Sequence, residues 1–392
     1  MLARSKEGLR LLSVWKRFGK HSAVSGVTFD ASPGEVVALT GPSGAGKTTL
    51  ARIIAGLEQR DAGEVWLRGR MIADEPPQAR GVALMFESYA LYPHMTVREN
   101  LLFPTRSPAQ RHRLDAQAAE NAVERLLELV EMGSLGNRYP AQLSGGQKQR
   151  VALCRLLIQE AGVFLLDEPI SHLDAKLRHK LRGEIRRLLV NKATPSLWFT
   201  PDAMEALAIG NRVVVLIDGT IQQVGSPLDL YECPANLTVA KLVGDPPMNT
   251  LRGRLLRRAD DLWFEHSGFT TVLKGPLRAA IEATPNLSEI VIGFRPSSVV
   301  LGGYDGGTAE IDTVEPFGKF VLITARLGEN LVKIRANHRG EYRRNDRIKL
   351  SLRPDRMMVF HAETGKALRP KLSRFTAPES REITIGTEGG PS

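Results

Sequence analysis

At 392 residues and 42% hydrophobic content, the chain is longer than one ordinary core organises, so two or three domains are expected. No apolar stretch approaches the ~18 to 20 residues of a membrane-spanning helix, and residues 1–10 lack the apolar run of a signal peptide, so a protein made and kept in the cytoplasm is expected. Two cysteines, Cys154 and Cys233, exclude a disulfide framework or multi-thiol metal centre; the net charge of +10, with no nucleic-acid-reading motif beside it, reads as solvated basic helix faces.

Residues 9–34 have a strand-like pattern with alternation at Val24, Val27 and Phe29. Phe18, just before Gly19, is a candidate for stacking on a nucleotide base, an ordinary packing aromatic being the alternative. Residues 36–39 form a short apolar run suited to a buried parallel strand. Then comes Gly41-Pro42-Ser43-Gly44-Ala45-Gly46-Lys47-Thr48-Thr49, followed by a helical stretch with a glycine stop at Gly56. In that order a glycine loop curls so that backbone N–H groups and the positive end of the helix converge on phosphate oxygens. Lys47 is expected to reach the β and γ phosphates of ATP, and Thr48 to offer its hydroxyl to Mg²⁺.

Residues 63–67 and 81–86 read as further strands around a turn at Pro76-Pro77. A helical insertion is expected over 88–159. Within it, residues 115–132 carry apolar positions at Ala119, Val123, Leu126, Leu127 and Val130, one buried face. Leu143-Ser144-Gly145-Gly146-Gln147 precedes a helix expected over 148–158, and forms a second anion-binding terminus. Residues 163–168 form an apolar strand ending in two carboxylates: Asp167 suits a magnesium role and Glu168 a general base acting on the attacking water. Near the end, residues 319–327 and 331–336 alternate as strands across Gly328-Glu329-Asn330, a hairpin. Residues 370–392 are polar, and a mobile tail is expected over 366–392.

With these segments in order, the chain resembles the ATP-binding subunit of an ABC transporter: Walker A at 41–49, signature at 143–147, Walker B at 163–168, and a D-loop at Ser171-His172-Leu173-Asp174. Residues 89–100 and 243–249 resemble the carbohydrate-importer branch, the maltose and glycerol-phosphate type. The resemblance implies an α/β P-loop nucleotide-binding domain, a RecA-like core with a helical subdomain, over 1–240. It also implies an all-β, OB-like (TOBE-type) regulatory domain over 241–365, matched at 293–296 and 352–354. In that family each ATP lies between one chain's Walker A and the other's signature. Ser144, Gly145, Gly146, Gln147 and Asp174 are thus expected to serve a partner's nucleotide. Two membrane permease subunits, a periplasmic or extracellular binding protein and a position on the cytoplasmic face of the membrane are implied too, and no nucleic acid.

The chain departs from the family pattern at two places that bear on chemistry. Where the family has a glutamine after the strand ending near residue 86, this chain has Glu87, a carboxylate that still offers oxygen to Mg²⁺ but no donor. Where the family has a switch histidine, the chain reads Thr200-Pro201-Asp202, and proline has no side-chain donor for the γ-phosphate. Hydrolysis at the site built on Lys47 is therefore expected to be impaired. A heterodimer with a second, distinct ATPase subunit would complete one competent site; a non-hydrolysing regulatory cassette is the alternative. In the D-loop, His172 stands where asparagine is more usual, with reach toward the opposite site as one reading and a tolerated surface substitution as the other.

Overall fold

The computed structural model describes residues 7–106, 115–302, 306–338 and 340–368, which form two units divided between Met248 and Asn249. In the first, β1 (Leu9–Phe18) pairs antiparallel with β2 (His21–Ala31). After β3 (Val36–Thr40) and α1 (Lys47–Ala55), the strand β4 (Ala62–Leu67) returns to β1, and β5 (Arg70–Met71) completes a four-stranded antiparallel sheet of order β2-β1-β4-β5.

The second sheet carries the chemistry. It contains β3, β6 (Val82–Met85), β7 (Val163–Asp167), β8 (Ser196–Thr200), β9 (Arg212–Ile217) and β10 (Thr220–Gly225), in the order β10-β9-β3-β8-β7-β6. All pairs are parallel except β9 with β10. Every residue of β3, β7 and β8 is buried, which is why these strands read as unbroken apolar runs. Their side chains alternate between two cores. Val36, Ala38, Phe164, Leu166 and Trp198 enter the helical core; Val37, Leu39, Leu165, Leu197 and Phe199 enter the core shared with α1 and the antiparallel sheet.

The helical core is supplied by α2 (Val97–Leu102), α3 (Ala116–Leu129), α4 (Gly145–Leu157), α5 (Ala175–Asn191) and α6 (Ala203–Ile209). Helix α3 starts after the residue expected to begin it, because the Asp115 carboxylate caps the helix at 2.6 Å from the amide of Ala118. It ends before the expected 132, where Glu131 takes a positive φ of 58°. Helix α4 begins three residues earlier than expected, since Ser144 forms a reciprocal capping box with Gln147. Residues 225–243 fold as two short helices, α7 (Pro227–Glu232) and α8 (Leu237–Leu242), whose Leu230 and Val239 are buried in the helical core.

The second unit is β-rich. Its strands are β11 (Asn249–Arg258), β12 (Asp261–His266), β13 (Phe269–Leu273), β14 (Glu289–Phe294), β15 (Val299–Leu301), β16 (Gly307–Pro316), β17 (Phe320–Leu327), β18 (Asn330–Asn337), β19 (Arg347–Leu352) and β20 (Met357–His361). A helix, α9 (Gly275–Glu282), interrupts them. The hairpin expected near Gly328 is β17–β18, in continuous register from Phe320–Asn337 to Leu327–Asn330. Of the expected tail, residues 366–368 pair back on β20, with the Leu368 amide donating to the Val359 carbonyl at 2.8 Å; the expectation for 369–392 lies outside the described residues.

Because Leu165 is wholly buried at the centre of the parallel sheet, Leu165→Ala is expected to cost about 3 kcal/mol, read as a lowered urea midpoint with unchanged slope.

Candidate functional site

In a parallel sheet covered on both faces, ligands are met at the carboxyl ends of the strands. The ends of β3, β6, β7 and β8 here open into the 41–46, 86–88, 167–168 and 200–202 segments. The loop after β3 is shaped by two glycines with no room for a side chain. A Cβ on Gly41 would sit 1.9 Å from the Leu216 carbonyl oxygen, and one on Gly46 would sit 2.1 Å from that of Ala23. Gly46 also takes φ 99° as it caps α1, a conformation costly for any L side chain.

No side chain caps α1 and its first turn holds no acidic residue, so its amino-terminal N–H groups and positive dipole face the loop without a competing carboxylate. The Lys47 side chain is buried and its Nζ donates to the carbonyls of Gly41 at 2.7 Å and Pro42 at 3.0 Å. Burial pushes its ammonium below the usual lysine range, against the opposing charges of Glu168 and Asp167. A cradle of bare N–H groups that any Cβ would fill, with one lysine inside it, fits the phosphates of a nucleotide.

Thr48, Glu87 and Asp167, the three residues expected to meet Mg²⁺, line one cavity of about 90 Å³. Burial is the main reason the Asp167 carboxyl is held above the usual range; a hydrogen bond from Thr48 opposes this, the charges of Glu168 and Glu87 reinforce it, and Lys47 opposes it. A cation between these oxygens would relieve the crowding of negative charge, so the donor set suits a hard divalent ion with oxygen ligands. Glu168 follows in a left-handed conformation, φ 47°, which a non-glycine residue adopts only when held. The restraints are its amide, donating to the Phe199 carbonyl at 2.9 Å, and its carbonyl, which accepts from Gln149 Nε2 at 2.7 Å.

Position 201 is next to this carboxylate in the sheet, since Asp167 pairs with Phe199. Pro201 is exposed, and beyond it the Asp202 carboxylate caps α6, accepting from the amides of Met204 at 2.8 Å and Glu205 at 3.1 Å. Beneath lies a polar pair inside the helical core: Trp198 Nε1 donates to the buried Glu205 at 2.7 Å. Burial pushes the Glu205 carboxyl up, against hydrogen bonds from Trp198 and Thr200.

The other expected residues stand apart from this cavity. None of Ser144, Gly145, Gly146 or Gln147 lines it. The Ser144 hydroxyl accepts from the Gln147 amide at 3.3 Å, and Gln147 Oε1 accepts from the Ser144 amide at 2.9 Å. The Asp174 carboxylate caps α5 through the Leu177 amide at 2.9 Å. Phe18, at the β1–β2 turn, is 48% exposed with the Lys16 ammonium 5.0 Å from its ring. Two residues with no expected role prove structural to the site. Gln149 clamps the Glu168 turn, and Arg80 is buried with Nη1 donating to the carbonyls of Ile53 at 2.8 Å and Ile54 at 3.1 Å, closing the carboxyl end of α1. Their partners are 19 and 26 to 27 positions away, and no local pattern marks such pairings.

Comparison with known proteins follows this geometry. A family model described as ABC transporter matches residues 24–171, and one described as TOBE domain matches 292–360. The sn-glycerol-3-phosphate import ATP-binding protein UgpC of Escherichia coli is 36% identical over 362 residues, covering 92% of this chain and 99% of that protein. The trehalose/maltose import ATP-binding protein MalK of Thermococcus litoralis is 36% identical over 385 residues, with the same coverage. Among solved structures, a dimeric post-hydrolysis state of the ATP-binding cassette MJ0796 bound to ADP and Pi is similar with TM-score 0.51 and 28% identity, covering 56% of this chain and 98% of that one.

The buried Glu205 yields a prediction with a definite sign. At low pH its carboxyl is protonated in folded and unfolded chains alike. As pH rises through the ordinary glutamate range the unfolded chain ionises first, so the contribution to stability falls until the raised folded pKa is passed. Replacing Glu205 with Gln keeps an oxygen acceptor for Trp198 and removes this loss. The melting temperature of Glu205→Gln relative to the native chain is expected to climb between pH 5 and pH 8, and a constant difference would contradict the assignment.

Proposed function

Since this chain belongs to the ABC transporter family of ATP-binding subunits, we propose that it is the energy-coupling subunit of a bacterial importer for a sugar, glycerol phosphate or small polyol such as glycerol. It acts from the cytoplasmic face of the membrane with two permease subunits and a substrate-binding protein. The observation that carries this reading is the convergence of the Gly41–Gly46 cradle, Lys47 and the Thr48, Glu87 and Asp167 oxygens at the ends of one parallel sheet. The printed functions of UgpC and MalK support the substrate class, and the absence, among the described residues, of a helix able to span a membrane is compatible with a peripheral subunit.

In this reading the cradle and Lys47 hold the ATP phosphates, while Thr48, Glu87 and Asp167 hold Mg²⁺, which would neutralise charge on the transferred phosphoryl group. Glu168 takes the proton of the attacking water. Phe18 stacks on the base. What the site lacks is a donor at position 201, and removing one preorganised contact to a transferring group costs ~10²-fold in rate. Its own hydrolysis is accordingly slow. The capped helix start at Ser144 and the D-loop Asp174 remain available to a partner's nucleotide, so the chain works best beside a second, distinct cassette that carries the histidine. The dimeric arrangement of MJ0796 supports pairing as such.

Pro201→His is expected to raise ATP turnover by the full-length chain ~10²-fold and Glu168→Gln, added to it, to remove the gain. A native chain that already turns over ATP at the rate of its Pro201→His variant would refute impairment. Full transport by an assembly in which both cassettes are this chain would refute the requirement for a distinct partner.

A further inference from the structure

The segments that follow Glu87 and Glu168 meet through a side-chain bond for which neither the family pattern nor the nucleotide site accounts. The Tyr89 hydroxyl lies 2.8 Å from His172 Nδ1, with the two rings edge to face at 90° and 6.2 Å between centroids. The same His172 Nδ1 is 3.1 Å from the Ser171 hydroxyl, which lies 3.2 Å from the Glu168 carbonyl oxygen. Gln149, almost wholly buried, closes the circuit: Nε2 donates to the Glu168 carbonyl at 2.7 Å and to Ser171 Oγ at 3.2 Å, and Oε1 accepts from the His172 amide at 3.0 Å.

Both ends of this chain of bonds are held away from relaxed backbone. Tyr89 and Ala90 take consecutive positive φ values of 62° and 47° directly after Glu87 and Ser88, and Glu168 takes 47°. The Tyr89–Ala90 end is gripped by Arg155, whose Nη2 and Nη1 donate to the Tyr89 and Ala90 carbonyls, each at 2.8 Å. Backbone in such conformations persists only while its surroundings over-determine it, so a displacement of one end has few ways to relax other than through the other. Tyr89 is half-buried and packed against the helical core, which leaves the His172 bond as the direct polar link between the two segments.

We propose that Tyr89 and His172 are a positioning pair: the segment after Glu87 sets the placement of the Glu168 turn through the path Tyr89–His172–Ser171/Gln149–Glu168. Neither residue is a catalytic group. This rests on the reading of Glu168 as the base of an ATPase, and it gives that reading a route by which movement near the metal-side carboxylate Glu87 changes the hydrolytic one.

The test uses the full-length chain with Mg-ATP and two readouts. In amide hydrogen exchange, Tyr89→Phe is expected to speed exchange at residues 171 and 172 about fivefold. His172→Ala should match it, the double variant should be no faster than either single one, and His172→Asn, which keeps an oxygen acceptor for the tyrosine, should restore protection. Unchanged exchange in Tyr89→Phe, or losses that add in the double variant, would overturn the proposal. In the Pro201→His chain, Tyr89→Phe and His172→Ala should each lower kcat severalfold with KM unchanged, and an altered KM with intact kcat would equally overturn it. Failure of the underlying ATPase reading is distinguishable, because it would appear as loss of Mg-ATP binding or of turnover while the exchange result still decides the relay.

Discussion

A parallel sheet buried on both faces leaves its polar chemistry one place to surface, the carboxyl ends of its strands. Everything that suits this chain to handle a phosphate follows from that restriction. β3, β7 and β8 spend all their side chains on two apolar cores, so function is confined to what immediately follows each strand: a loop of bare amides after β3, two carboxylates after β7, and a turn after β8. The register of the parallel pairs then fixes which of these lie side by side. Asp167 opposite Phe199, and Thr40 opposite Thr200, bring cradle, base and switch segment into one row without any long-range side-chain contact being needed.

That row explains how one substitution can alter function without altering fold. Proline at 201 follows the last residue of β8, where no further backbone bond of the ladder depends on it, and Asp202 still caps α6. The structural cost of losing a histidine there is small. The chemical cost is large, because a transition state is stabilised by donors already aimed at it, and proline offers none. Glu87 is the milder change: it sits with Thr48 and Asp167 around the same cavity, keeps an oxygen for a cation and adds a negative charge to a cluster that already raises the Asp167 pKa.

Local chemistry was legible in the sequence, and long-range closure was not. The cradle could be read because glycine spacing, lysine and helix onset are contiguous, and the strand that presents Asp167 and Glu168 because burial on both faces leaves a run of apolar residues. The capping boxes at Thr96–Glu99 and Ser226–Asp229 mark helix starts that could have been called in advance; the second would have shown residues 225–243 to be helical and packed instead of a connector. By contrast, nothing near Arg80 announces that it closes α1, nothing near Gln149 announces that it grips Glu168, and the left-handed backbone at Glu168 and Tyr89 is set by partners dozens of residues away. His172 shows the point most clearly: as a letter in the D-loop it read as a surface change or a reach across to a partner, whereas in the fold its ring bonds to Tyr89 and Ser171 of its own chain.

The central claim is that this chain binds ATP tightly enough to use it as a ligand and hydrolyses it slowly for want of a donor at position 201. The most direct measurement is the chemical state of nucleotide retained by the full-length protein after prolonged incubation with Mg-ATP, separated by chromatography. Recovery of the bound nucleotide predominantly as ATP is the expected result. Accumulation of ADP on the native chain, abolished by Glu168→Gln, would contradict it.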